Sequence, residues 1–147
     1  MYRRILVPID GSQTSERALQ EAIKLANGEA QLRLVHVLEE MYLLDADGYA
    51  YIDLASVQAA MRKSGEHLLE AAAKKVRQSG AVVETAVLDA NGERPANVIE
   101  NDARQWQADL IVVGTHGRSG LNRLLLGSVA EGVARVASRP VLLVRAE

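Results

Sequence analysis

The sequence predicts an α/β fold built on an open parallel sheet, and three observations carry that prediction. Apolar runs of strand length recur at residues 5–7, 32–38, 82–88, 110–113 and 141–144. The segments between them repeat their apolar residues with helical spacing. The two kinds alternate, β-α-β-α-β-α-β-α-β, and short, nearly continuous apolar strands separated by helices indicate a parallel sheet covered on both faces. Right-handed crossovers then leave few topologies. At 147 residues the chain is one domain, 1–147.

Taken in order, Ile5-Leu6-Val7 forms the first strand, ahead of Pro8. The first helix covers residues 15–26. Ala18, Leu19, Ala22, Ile23, Leu25 and Ala26 share one stripe, Glu16, Arg17, Gln20 and Lys24 take the other face, and Gly28 ends it. The second strand is 32–38. The stretch from Glu39 to about Ala55 is too long for an ordinary βα connection and holds three of the four tyrosines, so it is expected to form a partly ordered flap near the ligand crevice. Within it Asp45-Ala46-Asp47-Gly48 opens like a calcium loop, but the twelfth position, where that loop needs Glu, is Ser56. Calcium is therefore discarded. A long helix over about 56–78 turns Leu68, Leu69, Ala72 and Val76 inward and stops at Ser79-Gly80. After the strand 82–88, a helix over about 95–107 begins on Pro95, which suits a first turn. After the strand 110–113, the last helix follows Gly127, turns Val129, Val133 and Val136 inward, and ends before Arg139-Pro140; the strand 141–144 closes the chain.

Composition excludes several classes. A hydrophobic share of 48% with 24% charged residues is that of an ordinary soluble protein. A net charge of −2 offers no basic field for a nucleic acid. No cysteine is present, so disulfides and thiolate metal sites are ruled out. The apolar run before Pro8 is too short for a signal peptide, and no stretch of about 20 apolar residues exists to span a bilayer. The reading is a cytoplasmic protein that is not membrane-embedded.

In a doubly wound sheet the ligand crevice lies beyond the carboxyl ends of the strands, where the strand order reverses. Immediately after the fourth strand stand Gly114, Gly117, Gly120 and Gly127, four of the chain's 11 glycines, with Ser128 opening the last helix. Glycines admit a ligand close to backbone N–H groups, and a helix N-terminus attracts anions, so the pattern fits a phosphate. It also fits a strand exit, a turn and a capping box, with Ser128 and Glu131 each bonding the other's N–H. Neither G-x-x-x-x-G-K-[ST] nor a G-x-G-x-x-G after the first strand occurs.

What occurs is G-x-x-G, nine residues, then G-S: Gly114, Gly117, Gly127, Ser128. This resembles the phosphate-binding motif of the universal stress protein family, in its ATP-binding branch. The resemblance extends over Ile5-Leu6-Val7-Pro8-Ile9-Asp10-Gly11-Ser12, Leu34-Val35-His36-Val37, Ala108 to Gly114 and Arg139 to Val144. It implies an open five-stranded parallel sheet in the order 3-2-1-4-5 with helices on both faces, Rossmann-like and akin to the adenine nucleotide alpha hydrolases, with Asp10 and Gly114 facing each other across the crevice. It also implies the ligand, ATP; a magnesium ion at the phosphates is an optional companion of that ligand. Pro8 lines the adenosine, Asp10 bonds the nucleoside, and the backbone of Val37 reads the adenine edge. Gly114 and Thr115 approach the ribose and α-phosphate. Gly117, Gly127, Ser128 and Val129 offer N–H groups to the phosphate chain, with Arg118 adding charge. By residue type alone, Asp10 equally fits a turn residue capping the first helix, Val37 a core residue and Arg118 a solvated one. His116 reads as a turn residue, His36 as packed and hydrogen-bonded, His67 as solvated. No catalytic or metal-ligating residue is assigned.

The function expected is an ATP-binding regulatory protein with at most slow hydrolysis, since the groups that position an attacking water are not visible. The alternative is a nucleotide-independent dimeric interaction module of the stress response. An adenylating enzyme has little support, because neither S-G-G-x-D-S nor H-x-G-H occurs. Val141 to Val144 form a sheet edge that needs cover. The resemblance implies pairing of that edge into a homodimer, with a dimer of dimers as a further arrangement, and a regulated partner of the membrane-transport or signalling kind.

Overall fold

A computed structural model describes residues 1–39, 53–116 and 126–146. The elements are β1 (Arg4–Pro8), α1 (Gln13–Ala26), β2 (Gln31–Leu38), α2 (Leu54–Gln78), β3 (Val82–Asp89), α3 (Pro95–Trp106), β4 (Leu110–Gly114), α4 (Ser128–Val136) and β5 (Val141–Val144). Every strand pairing is parallel, and the sheet runs β3-β2-β1-β4-β5. The order expected from the resemblance is thus the order found. It reverses between β1 and β4, so the chain leaves these two strands in opposite directions and opens a crevice at their carboxyl ends.

Alternation along the strands divides the core into two layers. Ile5, Val7, Leu32, Leu34, Leu110 and Val112 face α1 and α2, meeting Ala18, Leu19 and Ala22 of α1 and Leu69, Ala73 and Val76 of α2. Leu6, Val35 and Ile111 face the other way, onto Ile99, Ala103 and Trp106 of α3 and Val133 of α4. Each such side chain contributes about 1.5–3 kcal/mol by leaving water.

Two residues read as inward are not. Leu25 is 38% exposed and Val136 is 40% exposed. Leu25 sits at the margin of the α1 stripe, and Val136 is the last residue of α4, past the turn that Ala130 and Val133 bury. Conversely, Thr14 and Ser15 in the first turn of α1 are buried despite their polarity, and the helix begins at Gln13, two residues before the start expected at residue 15.

Polar groups also cross-link the α3 layer. Arg33 on β2 makes a bidentate contact with Asp102 on α3, at 2.7 and 2.8 Å, and reaches Glu84 on β3 at 3.0 Å. The hydrogen bonds and charge of Asp102 hold the guanidinium pKa above its ordinary value against the opposing cost of burial. Trp106 donates its indole N–H to Glu84 and lies under Arg4, 4.5 Å from the ring centroid.

Nearer the start of α3, Glu100 accepts from Ser138 Oγ at 2.7 Å and from Arg139 at 3.0 Å, fastening the turn before β5. Burial alone would raise the Glu100 carboxyl, but the Ser138 hydrogen bond and the Arg139 guanidinium outweigh it, so its pKa lies below the ordinary 4.5. A depressed folded-state pKa means that the associated stability is fully present above that ordinary value and is lost as pH falls through the folded one. Urea unfolding at pH 6.5 and 3.5 checks this. The stability gap between wild type and Glu100→Gln is expected to narrow at the lower pH, and a gap of equal size at both would contradict the assignment.

Candidate functional site

The ends of β1 and β4 are joined by the first turn of α1. Ser12 caps α1, its Oγ accepting from the N–H of Ser15 at 3.1 Å. Asp10, an open alternative for that cap, instead accepts from the N–H of Ser12 at 2.8 Å through Oδ1. The Thr14 hydroxyl donates to the carbonyl of His116, which Ser12 Oγ also approaches at 3.3 Å, and the His116 N–H lies 3.3 Å from Thr14 Oγ1. At the N-terminus of α1 the cap thus takes the Ser15 N–H, and the hydroxyls of the first turn are tied to the strand-4 exit.

Gly114 permits this closure. A Cβ there would come within 2.5 Å of Thr14 Oγ1, 2.6 Å of the Thr14 carbonyl carbon and 2.8 Å of the Ser15 nitrogen. Thr115, expected against the ribose and α-phosphate, is 2% exposed and turned into the protein. Its N–H donates to Val144 O at 2.9 Å, its carbonyl accepts from Gly127 at 2.6 Å, and its hydroxyl pairs with His116 Nδ1 at 3.0 Å. The bond to Thr115 also engages the Gly127 N–H, correcting the expectation that it is offered to phosphate.

The N-terminus of α4 differs from that of α1. Gly127 is its N-cap and makes no side-chain hydrogen bond to it; Ser128 is the first helical residue. The capping box expected from Ser128 and Glu131 does not form. The Glu131 N–H donates to Gly127 O at 2.9 Å and its carboxylate pairs with Arg135 at 2.8 Å, one turn onward. The first-turn N–H groups of Ser128, Val129 and Ala130 have no intrahelical acceptor, as at any helix start. Unlike those of α1, they have no side-chain cap, and they carry the positive end of the helix dipole. Ser128 is exposed and Val129 half-buried.

The third wall comes from β2. Ile9 donates its N–H to Val35 O at 2.7 Å, so the backbone of Val35 faces β1. N–H and C=O groups of alternate residues in a parallel strand face the same neighbour. Those of Val37 therefore face β1 as well, one step beyond the place where β1 ends at Pro8. The Val37 side chain packs into the α3–α4 layer. His36 turns the other way and its ring bonds the Ile9 carbonyl at 2.7 Å, in keeping with the packed, hydrogen-bonded histidine expected. His67 is exposed.

Of the predicted site residues, Pro8 and Gly114 end β1 and β4, Asp10 follows β1, Val37 lies near the end of β2, and Ser128 and Val129 open α4. Gly117, Arg118 and Gly120 lie outside the described residues, as does most of the expected 39–55 flap. Sequence reasoning passed over Ser12, Thr14 and Ser15. Their signal was present, because Ser12-Gln-Thr-Ser immediately precedes the apolar stripe as an N-cap does. Among the described residues, no three His, Asp or Glu side chains are grouped to hold a metal ion, and no helix is long and apolar enough to cross a membrane.

Comparison with known proteins agrees with this architecture. The model of the universal stress protein family matches residues 1–145. Universal stress protein YxiE of Bacillus subtilis is 38% identical, the match covering 99% of this chain and all of that protein. The structure of hypothetical protein MJ0577, from Methanocaldococcus jannaschii, superposes with a TM-score of 0.83 at 27% identity, over 99% of this chain and 96% of that one. The universal stress protein of Archaeoglobus fulgidus in complex with dAMP superposes with a TM-score of 0.68 at 28% identity, over 97% and 98% of the respective chains.

Proposed function

Because the chain belongs to the universal stress protein family, we propose that it is an ATP-binding member acting as a nucleotide-dependent regulatory protein. The observation that carries the reading is the contrast between two helix starts at the strand-order reversal. In α1 the Ser12 side chain takes the Ser15 N–H, whereas the N-cap of α4, Gly127, offers no side chain and the helix opens on an exposed Ser128. An anion gains more at the second, where no N-cap side chain competes for the first-turn N–H groups. The dAMP bound by the Archaeoglobus fulgidus protein adds weight to an adenine nucleotide.

In this reading Pro8 and Asp10 border the nucleoside and the Val37 backbone meets the adenine edge. Ser128 and Val129 give N–H groups, and Ser128 its hydroxyl, to the phosphates. Gly114 and Thr115 act by shaping the wall, and Gly117 and Arg118 remain phosphate-loop assignments read from the sequence. Magnesium would arrive with the ATP phosphates. Hydrolysis is at most slow; turnover above about 1 s⁻¹, the low end for kinases, would contradict a regulatory role.

Replacing Ser128 by proline tests the phosphate assignment. Proline is accepted at the first helical position and by the extended Gly127 before it, φ −63° and ψ 156°. The variant folds normally but lacks one N–H and the hydroxyl. ATP and AMP binding is expected to weaken about tenfold or more, the worth of a charge-assisted hydrogen bond, while adenosine binding is unchanged. Equal loss for adenosine and AMP would remove the phosphates from α4.

One observation favours a second reading, a nucleotide-independent interaction module: the packing of Gly114 and the internal bond of Gly127 explain both residues without a ligand. Under either reading β5 is a sheet edge with Leu142 37% exposed, near the exposed Val136, and it pairs with a second copy in a homodimer that binds a regulated partner of the membrane-transport or signalling kind. Light scattering at micromolar concentration is expected to give the dimer mass; a monomer would refute the edge pairing.

A further inference from the structure

The β1–β2 ladder stops one bond early, and a side chain stops it. Its bonds run in steps of two residues, from Gln31 N–H to Arg3 O at one end to Ile9 N–H and Val35 O at the other. Continued by one step, the Val37 N–H would donate to the Ile9 carbonyl. That bond is absent among the described backbone contacts. The Ile9 carbonyl is occupied instead by His36 Nδ1 at 2.7 Å. A carbonyl only accepts, so Nδ1 carries the proton and the imidazole is the donor.

The ring is held there by its surroundings. It lies against Gly65 of α2, where a Cβ would come within 2.5 Å of His36 Cδ2. Gly65 is buried in the interior of a 25-residue helix, a place where glycine lowers helix stability by roughly 0.5–1 kcal/mol relative to alanine. A glycine kept there fits the close approach of the imidazole. The Ile9 side chain is 6% exposed, so the peptide that His36 grips cannot turn away.

We propose that His36 is a positioning residue for nucleobase recognition: by taking the Ile9 carbonyl it ends the ladder and leaves the Val37 N–H and C=O unpaired toward the crevice, where a heteroaromatic base edge with adjacent donor and acceptor fits. The inference rests on the nucleotide-binding reading and adds the device that keeps its base-recognising edge open. Without the imidazole donor, the Ile9 carbonyl captures the Val37 N–H and the sheet closes over the subsite.

Leucine and asparagine at position 36 have nearly the same shape, but only asparagine donates from a nitrogen placed like Nδ1. Backbone amide exchange of the nucleotide-free proteins is measured by NMR, with Leu34 as an internal reference, beside calorimetric titration with AMP. In the wild type the Val37 amide is expected to exchange freely. In His36→Leu it slows by at least about tenfold and AMP affinity falls about tenfold, the loss of one well-placed hydrogen bond. His36→Asn restores both, which a merely structural role for the ring would not. Gly65→Ala, which pushes the ring aside, acts like His36→Leu. A Val37 amide already protected in the wild type, or unchanged exchange in His36→Leu, overturns the inference. A wild type that binds no adenine nucleotide defeats the functional reading, and the exchange comparison still decides whether His36 ends the ladder.

Discussion

Gly114→Ala lowers folding stability by about 3 kcal/mol, at the upper end of ordinary overpacking costs. The added methyl would meet Thr14 Oγ1, the Thr14 carbonyl carbon and the Ser15 nitrogen at 2.5, 2.6 and 2.8 Å. Two of these atoms are backbone, so rotating a side chain cannot relieve the contact. Relief requires the first turn of α1 to retreat, yet Ala18, Leu19 and Ala22 anchor that helix to the sheet with no exposure. Retreat would also part Thr14 from the His116 carbonyl and open the joint between the two halves of the sheet. Thermal unfolding is expected to show a decrease of roughly 6–12 °C for a chain of this size. A variant melting within 1 °C of the wild type would show that α1 does not press on Gly114.

Asp102→Ala is expected to cost a similar amount, about 3 kcal/mol, by stranding a charge. The side chains of Arg33 and Asp102 are only 16% and 10% exposed, and the guanidinium loses both of its strongest hydrogen bonds. Glu84 remains at 3.0 Å, but at 40% exposure it compensates in part only. The double replacement Arg33→Met with Asp102→Leu separates the cost of stranding from the worth of the pair. Removing both charges should recover most of the loss, because desolvation offsets much of the attraction in a buried pair. Urea unfolding of the wild type, Arg33→Met, Asp102→Leu and the double variant gives the cycle, with Asp102→Ala measured beside them. A double variant as unstable as Asp102→Ala would mean that packing, not the abandoned charge, sets the effect.

The fold was legible because each strand is nearly continuous in Val, Leu and Ile, and the crossovers admit few arrangements. Residues 141–144 are bounded in the structure as in the sequence reading, and the others differ by a residue or so at their ends. Periodicity failed where burial is not apolar. Thr14 and Ser15 are buried because their hydroxyls find partners at the crossing point, which no hydrophobic stripe announces. Val136 looked inward because periodicity takes no account of where a helix ends.

The strand ends and helix start that frame the candidate site were legible, and the contacts made there were not. Gly114, Ser128 and Val37 were placed at the crevice, but a glycine in sequence does not say whether a ligand or a neighbouring helix needs the space. At Gly114 the helix needs it. The capping box of Ser128 and Glu131 was a valid local pattern that lost to a chain path in which Gly127 takes the cap position. His36 was read as packed and bonded. That its bond takes the place of a ladder bond follows only from the register.

In the proposed function the crevice at the strand-order reversal binds an adenine nucleotide with its phosphates at α4. The direct test is calorimetric titration of nucleotide-stripped protein with ATP, ADP, AMP, adenosine and GTP, with and without magnesium. Micromolar binding of the adenine nucleotides, ATP included, is expected, with adenosine weaker by the worth of the α4 contacts and little binding of GTP. No heat from any adenine nucleotide with a folded, dimeric protein would contradict it and leave Gly114, Gly127 and Ser128 as parts of the fold alone.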